Sequence, residues 1–507
     1  DAAFADAGGQ VWVAEGFYTA YLSSPGDTFV LGPGVEIYGG FAGHELSPDE
    51  RDPGAHPTIA SGRAASGSPL RARHVFTLEG AASLDGMTVS GGLAYDDVDY
   101  DQLNRSGGGV FSNGHDLVLR GCVFEDNEAE QKAGAVFVAK ASSLRVDDCT
   151  FRDNEVLDPK SSSTDGGAVS VVATELVEMS SCTFDSNSAH FGAGGAVQLS
   201  SVSDCSIEDC GFFDNSASSG GALRWGGLET MTLSITGSSF TGNRSTGNGG
   251  AIASGIVYDG AWVLDDCVFE ENEAEGDGGA IELVSGEAVI TNVSFVENKA
   301  INGAGGGIHT FADPLEIENA LFSKNESGNH GGAVSLSGID AARIENSVLA
   351  GNESHRNGGA IDSAGTALEV VHSVVHANRA SADPESDDQG GAIYASTGPV
   401  TIANSILFAN EPDQLGWWQE SPFLVAHSLV EGGFDGQGVI DAEPLFADSS
   451  AEDYALAPGS PCIDAASGDH ATELDALGNE RVDDPQVPNT GIGNPDYADL
   501  GAYERQP

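Results

Sequence analysis

Residues 278–298, GGAIELVSGEAVITNVSFVEN, hold two motifs that recur along this chain of 507 residues. The first, Gly-Gly-Ala-Ile or a close variant, occurs eleven times at intervals of 26–33 residues. Its copies begin at Gly107, Ala133, Gly166, Gly194, Gly220, Gly249, Gly278, Gly305, Gly331, Gly358 and Gly390. The second, Phe-x-x-Asn with Leu or Val in place of Phe in the last three copies, ends at Asn127, Asn154, Asn187, Asn215, Asn243, Asn272, Asn298, Asn325, Asn352, Asn378 and Asn410. A fixed period in this range indicates one structural unit stacked on itself.

Short segments of alternating apolar and polar residues fill each period. In the quoted stretch they cover residues 280–283, 288–291 and 293–295, and they are separated by glycine or asparagine. This is the periodicity of strands rather than of helices. We therefore predict an all-β fold, a single-stranded right-handed parallel β-helix, which is a solenoid. The predicted organisation is an N-terminal cap over residues 1–106, eleven coils over 107–410, and last coils with a closing segment over 411–507.

Stacking predicts that equivalent residues form vertical columns. The asparagines are expected to pass hydrogen bonds from amide to amide and to tolerate the left-handed backbone of a tight turn. An aromatic ladder is predicted from Phe124, Phe151, Phe184, Phe212, Phe240, Phe269, Phe295 and Phe322, with Leu349, Val375 and Leu407 in later coils. An inward column of free thiols is predicted from Cys122, Cys149, Cys182, Cys210 and Cys267. A disulfide between neighbouring coils remains an alternative.

Charge excludes some partners. The chain has 78 Asp and Glu against 20 Lys and Arg, a formal net charge of −58. Such a chain repels nucleic acid phosphates, so we expect no nucleic acid partner. Abundant carboxylates make calcium the cofactor to expect, if there is one. No stretch approaches the roughly 20 apolar residues of a membrane helix, so no transmembrane segment is expected.

The alternation of apolar and polar residues along each strand also predicts which side chains point outward from the core. The residue after each GGAI string should point outward beside an outward column of alanines, forming a shallow groove. Candidate groove residues at this position are Phe111, Phe137, Gln198, Arg224, Asp362 and Tyr394. Glu282 and His309 share the position on adjacent coils and are a candidate catalytic acid–base pair. The alternative is an exposed column that varies because little constrains it.

Longer loops are predicted to approach the same corner, at residues 93–106, 155–165 and 379–389. The first carries two further candidate groove aromatics, Tyr95 and Tyr100. It also carries candidate metal ligands, since carboxylate oxygens suit calcium. These are Asp96, Asp97, Asp99 and Asp101. A solvated acidic loop is the alternative interpretation.

The GGAI and FxxN repeat over residues 107–410 resembles that of the polymorphic outer membrane proteins and of the wider group of bacterial secreted right-handed parallel β-helix proteins. The segments VEIYGGFAG at 35–43 and PGSPCID at 458–464 resemble the flanking regions of such proteins. This resemblance implies an extracellular or outer-surface location, with adhesion or carbohydrate processing as the activity.

Two functions are therefore predicted. The first is a non-catalytic secreted or cell-surface adhesin or structural protein, which binds extracellular polysaccharide or cell-surface glycans in the groove, with calcium. The alternative is a polysaccharide lyase or glycoside hydrolase that acts on a long polysaccharide there through Glu282 and His309. A passive stalk is a third possibility.

Overall fold

The structure, a computed structural model, describes residues 9–64, 69–95, 103–157, 165–227, 231–256, 260–381, 389–418 and 423–506. The chain divides into two units, residues 1–260 and 261–507. Each unit repeats the same short succession of strands, so each is described separately.

A coil contains four strands in fixed order. In the coil that begins at Gly278 they are Ile281–Leu283, Glu287–Thr291, Ser294–Val296 and Lys299–Ala300. We name the sheets that these strands build sheets I to IV. Strands of one sheet run parallel and pair in register between coils, which confirms the predicted parallel β-helix. The sequence predicted three strands in a coil and missed the fourth, because two residues are too few to show alternation.

Unit 1 has all four kinds of strand. Sheet I contains Phe29–Leu31, Phe76–Leu78, Val110–Asn113, Val136–Ala139, Val169–Val172, Val197–Ser200, Leu223–Gly226 and Ile252–Ser254. Sheet II contains Gly9–Ala14, Val35–Phe41, Ala82–Asp85, Leu117–Arg120, Ser143–Asp147, Leu176–Ser180, Asp204–Glu208 and Thr232–Thr236. Sheet III contains Gly16–Thr19, Thr58–Ser61, Thr88–Ser90, Val123–Glu125, Thr150–Arg152, Thr183–Asp185, Gly211–Phe213 and Ser239–Thr241. Sheet IV contains Leu93–Ala94, Glu128–Ala129, Glu155–Val156, Ser188–Ala193, Ser216–Ser219 and Arg244–Ser245.

Unit 2 has the same four kinds of strand. Sheet I contains Ile281–Leu283, Ile308–Thr310, Val334–Ser337, Ile361–Ala364, Ile393–Thr397 and Leu415–Trp417. Sheet II contains Ala261–Asp265, Glu287–Thr291, Leu315–Glu318, Ala341–Glu345, Ala367–Val371, Val400–Ala403 and Phe423–Ala426. Sheet III contains Val268–Glu270, Ser294–Val296, Leu321–Ser323, Val348–Ala350, Val374–His376, Ile406–Phe408 and Leu429–Val430. Sheet IV contains Glu273–Ala274, Lys299–Ala300, Glu326–Ser327, Glu353–Ser354 and Arg379–Ala380.

Few elements lie outside these sheets. An antiparallel pair, Phe446–Asp448 and Asp453–Leu456, lies in unit 2 after its last sheet III strand. The helices of the described chain are 3₁₀ turns at Pro48–Glu50, Leu103–Arg105, Ser449–Ala451 and Gly468–His470. None of them is long and apolar enough to cross a membrane.

The asparagine column forms the predicted ladder in each unit. In unit 2, the Asn325 amide nitrogen Nδ2 donates to Oδ1 of Asn352 at 2.9 Å and to the carbonyl of Phe295 at 2.9 Å. Its own Oδ1 accepts from the backbone N–H and Nδ2 of Asn298. The left-handed backbone, however, falls on the residue before the asparagine, such as Lys324 with φ 55°. The asparagine is therefore selected by its amide and not by its backbone.

The other core columns also agree with the sequence. Phenylalanine rings on sheet III stack at centroid distances of 4.6–5.0 Å within each unit. All seven cysteines are buried and free, which removes the disulfide alternative. Serines occupy the cysteine position in later coils, and their hydroxyls accept backbone N–H groups of neighbouring coils, as Ser373 does from Ser347. This second ladder was not predicted.

The alanines of the GGAI strings were predicted to point outward, but they point into the core. The alanines of the GGAI strings are fully buried. A Cβ added at Gly307, which stands at an alanine position, would lie 3.1 Å from the Phe322 ring. At Gly109 it would lie 3.4 Å from the Asn127 side chain. This column therefore faces the asparagine and phenylalanine columns, because the Gly-Gly turn precedes it and the strand alternation starts only after it.

Candidate functional site

The residues that follow the GGAI strings do align vertically on sheet I. In unit 2, Glu282 pairs with His309, His309 with Ser335, Ser335 with Asp362, and Asp362 with Tyr394. We call these five residues the recessed strip. Their vertical alignment is the geometry on which the predicted groove depends.

The alternative interpretation predicted an exposed column, but the recessed strip is buried. Only 6% of His309, 7% of Asp362 and 8% of Glu282 is accessible to solvent. At two of the Gly-Gly pairs, the residue before the pair approaches the strip residue of the next coil. Asp277 approaches His309 in this way, and His330 approaches Asp362. The strip is therefore recessed beneath turn residues, and we call the strip together with the residues that cover it the cleft, with the covering residues as its rim.

Glycine makes this close approach possible. The first glycine of the pair has a left-handed backbone, with φ 68° at Gly305. The second has no room for a side chain, since a Cβ at Gly306 would lie 2.3 Å from the carbonyl oxygen of Gly332 on the next coil. The turn can therefore lie directly against the neighbouring coil.

His309 lies between two polar side chains. Its Nδ1 is 3.9 Å from Oδ2 of Asp277, and its Nε2 is 3.5 Å from Oγ of Ser337. The other Asp277 oxygen, Oδ1, accepts the Ala304 backbone N–H at 2.8 Å, which fixes the carboxylate. The Phe311 ring meets the imidazole edge-on at 4.9 Å. Burial lowers the pKa of His309, against the opposite effect of Asp277, so the ring is neutral and able to accept a proton.

Asp362 is the second unusual group of the strip. Burial raises its pKa from 3.8 to about 7, so it holds or releases a proton near neutrality. Its Oδ1 lies 3.8 Å from Nδ1 of His330. Burial also lowers the His330 pKa, with Arg356 as a smaller cause in the same direction. Two carboxyl–imidazole contacts thus recur two coils apart along the cleft.

Sequence reasoning found the strip but not its rim. It placed Glu282 beside His309, and these residues are in register on adjacent strands. It missed Asp277, His330 and Ser337, because they are outside the column that it followed. A useful signal was available, since Asp277 and His330 each directly precede a Gly-Gly pair.

In unit 1 the same sheet I position has a different character. Phe111 and Phe137 stack at 5.7 Å, and His74 packs on Phe111 at 5.0 Å. Phe137, a predicted groove residue, is almost fully buried. The Arg224 guanidinium donates to the backbone carbonyls of Trp225 and Ala253, which holds it against the sheet. Gln198 is also buried.

Most of the predicted calcium loop lies outside the described residues. Tyr95 is half exposed and directly follows the sheet IV strand Leu93–Ala94. Tyr100 and the carboxylates Asp96, Asp97, Asp99 and Asp101 lie outside the described residues. Within the described ranges, no group of three or more His, Cys, Asp or Glu side chains could hold a metal ion.

Comparison with known families agrees with this architecture. Residues 98–260 and 250–407 match the family described as the right-handed β-helix region, and together the matches span more than half of the chain. The chain belongs to this family. The right-handed β-helix is thus established from both the repeats and the strands. No curated protein matches the chain.

Proposed function

We propose that this right-handed β-helix is a secreted or cell-surface protein that binds extracellular polysaccharide along the cleft of unit 2. The observation that carries the proposal is the recessed strip itself. Polar and aromatic side chains repeat there once per coil, at the roughly 4.8 Å spacing of paired strands. A ligand that is itself a repeating polymer can make the same kind of contact on successive coils.

The rim offers the accessible contacts. Phe311 is 45% exposed, and its ring lies beside His309. The side chains of Asp277 and His330 are partly exposed and supply hydrogen-bond groups. An aromatic surface next to polar groups suits a sugar ring, which has apolar faces and hydroxyl edges.

Charge favours a neutral polysaccharide. The chain carries a formal charge of −58, and the cleft itself contains the carboxyl groups of Asp277, Glu282 and Asp362. An acidic polysaccharide would need calcium to bridge like charges. The acidic loop at residues 95–101, predicted from the sequence to bind calcium, belongs to unit 1 and is a separate candidate site. The bacterial outer-surface location and the adhesin role are part of the same proposal and rest on the repeat resemblance.

Glycan binding tests this proposal. The chain is applied to an array of neutral and acidic polysaccharides, with and without a calcium chelator. For the best ligand, Phe311→Ala is expected to weaken binding about tenfold, as loss of a contact worth about 1.4 kcal/mol would. Phe191→Ala removes a comparably exposed aromatic from unit 1 and is the matched control. Equal affinities of all three proteins, or no binding to any glycan, would contradict the proposal.

One observation favours a second candidate, a polysaccharide lyase or glycoside hydrolase. Glu282 and His309 face the cleft in register on adjacent strands, and the His309 imidazole is neutral. Two neighbouring titratable groups are what a general acid and a general base need. New reducing ends or unsaturated products, lost in Glu282→Gln, would support it, whereas binding without product would leave the adhesin.

A further inference from the structure

Three side chains in the cleft form a chain of contacts that ends on a hydroxyl group. Asp277 Oδ2 approaches Nδ1 of His309, and Nε2 of the same imidazole approaches Oγ of Ser337. The contacts of 3.9 and 3.5 Å use opposite nitrogens of one ring, as a nucleophile–base–acid triad requires. Such contacts are often long before substrate binds, and both reach hydrogen-bond length with movements of about 1 Å or less.

The surroundings suit each role. Ser337 is partly exposed at the end of its strand, where a substrate can reach it. His309 is buried and neutral, so it can take a proton from the hydroxyl. Asp277 accepts the Ala304 N–H through its other oxygen, and its Oδ2 lies 3.9 Å from Nδ1 of the imidazole. Three consecutive coils thus contribute one group each.

The position of Ser337 distinguishes it from a similar serine. Ser200 lies at the same repeat position, two residues after a strip-equivalent residue and at the end of its sheet I strand. Its strand pairs with one in which Ser170, not histidine, holds the corresponding place. A general base is therefore adjacent to Ser337 and not to Ser200, and only the former hydroxyl should be activated.

We propose that Ser337, His309 and Asp277 form an acyl-transfer site that hydrolyses carboxylic esters. The class of substrate is a short, uncharged acyl group on an alcohol oxygen, because carboxyl groups surround the cleft and disfavour anionic acyl groups. On a polymer bound in the cleft, such an ester is an O-acyl polysaccharide. The identification of the polymer as a polysaccharide alone rests on the proposed function above.

The reaction balances with water as the second reactant. Ser337 Oγ bonds to the acyl carbon while its proton passes to Nε2 of His309. The bond between the acyl carbon and the alcohol oxygen then breaks, and the imidazolium returns the proton to the departing alcohol. Water repeats the attack on the acyl-serine with His309 as base, which releases the carboxylic acid and restores the hydroxyl. Asp277 is a positioning residue that orients the ring and stabilises its charged form.

Two probes test the site on the full chain. A fluorophosphonate is expected to label the wild type and Ser200→Ala at Ser337, and to leave Ser337→Ala and His309→Gln unlabelled. Hydrolysis of 4-nitrophenyl acetate should fall at least a hundredfold in both of the latter variants. Asp277→Asn should lower kcat with little change in KM, since it acts through His309 and not on the ester. Denaturant midpoints establish that each variant is folded.

The outcomes are separable from those of the glycan test. Labelling or hydrolysis that persists in Ser337→Ala, or a wild type that shows neither, overturns the triad even where glycan binding is retained. Conversely, Ser337-dependent ester hydrolysis by a chain that binds no glycan supports the triad and removes the polysaccharide as its substrate. If Asp277→Asn lowered kcat and raised KM by equal factors, the positioning role of Asp277 would be overturned.

Discussion

Asn325 shows how much one repeated side chain contributes. Its amide satisfies a carbonyl of one coil and an asparagine of another, and no water can replace these partners because the residue is fully buried. Asn325→Ala leaves the Phe295 carbonyl and the Asn298 amide without that partner. We expect a loss of about 2–4 kcal/mol in unfolding free energy, since each unsatisfied buried group costs about 1–3 kcal/mol. The midpoint of denaturant unfolding measures it.

The matched control is Asn302→Ala, which removes an exposed asparagine from the same unit. Its midpoint should stay close to that of the wild type, because surface substitutions change stability by about 0.5 kcal/mol or less. Equal midpoints for the two variants would show that the ladder does not stabilise the stack.

Asp362 makes stability depend on pH through a single carboxyl group. Burial raises its pKa from 3.8 to about 7, so the folded chain binds a proton between these values that the unfolded chain releases. Stability contributed by this group is therefore present at low pH and is lost as the pH rises to about 7. Asp362→Asn stays neutral, so it should be more stable than the wild type at pH 8, by about 1–4 kcal/mol. The difference should disappear as the pH falls towards 4.

Unfolding midpoints of the two proteins across this pH range give the measurement. Asp340→Asn, at an exposed position of the same unit, should follow the wild type throughout. A pH-independent gap between Asp362→Asn and the wild type would mean that packing, and not ionisation, separates them.

The Gly-Gly turn is the element that brings one coil against the next. The first glycine position accepts a side chain once, at Ala133, whereas the second is glycine in all eleven copies. A Cβ at Gly306 would meet the Gly332 oxygen at 2.3 Å and the Glu326 backbone at 2.7 Å. Because backbone atoms cannot rotate away, Gly306→Ala should cost more than about 3 kcal/mol.

Gly338→Ala separates crowding from backbone conformation. Gly338 has φ 63° and nothing within 4 Å of its added Cβ, so its cost is the left-handed conformation alone, about 1–2 kcal/mol. The denaturant midpoint should fall further for Gly306→Ala. If Gly338→Ala were the more damaging change, the contact between coils would not be what fixes the turn.

Repetition explains what could be predicted of the fold and the site. Because each coil repeats the last, a phenylalanine or asparagine at a fixed interval can only stack on its equivalent. The columns and the Glu282–His309 register follow from that alone. Repetition does not predict the direction of a side chain beside a turn, because the alternation of inward and outward residues begins again after each Gly-Gly pair. Ala280 was therefore predicted outward and is buried in the core.

The burial of the recessed strip could not be predicted from the sequence of a single repeat either. His309 is covered by Asp277, which precedes it by more than one complete coil, and Ser337 reaches it from the coil after. A strip residue's environment is therefore determined by three coils together. The sequence specifies the identity of each group, whereas the cleft arises only when the turn of one coil packs over the strand of the next.

Net charge acts on the molecule as a whole. With 78 acidic and 20 basic residues, 58 negative charges have no positive counterpart, and their mutual repulsion opposes the folded state. Raising NaCl from about 0.01 M to about 1 M shortens the screening length from about 30 Å to about 3 Å. The thermal midpoint of unfolding should therefore rise with NaCl. Most of the rise should occur before the concentration reaches about 0.2 M, because the screening length has by then fallen below about 10 Å. Sucrose stabilises by exclusion and not by screening, so its effect should grow steadily with concentration. A midpoint that is constant or falls with NaCl would mean that ion pairs such as Arg343–Glu369 outweigh the repulsion.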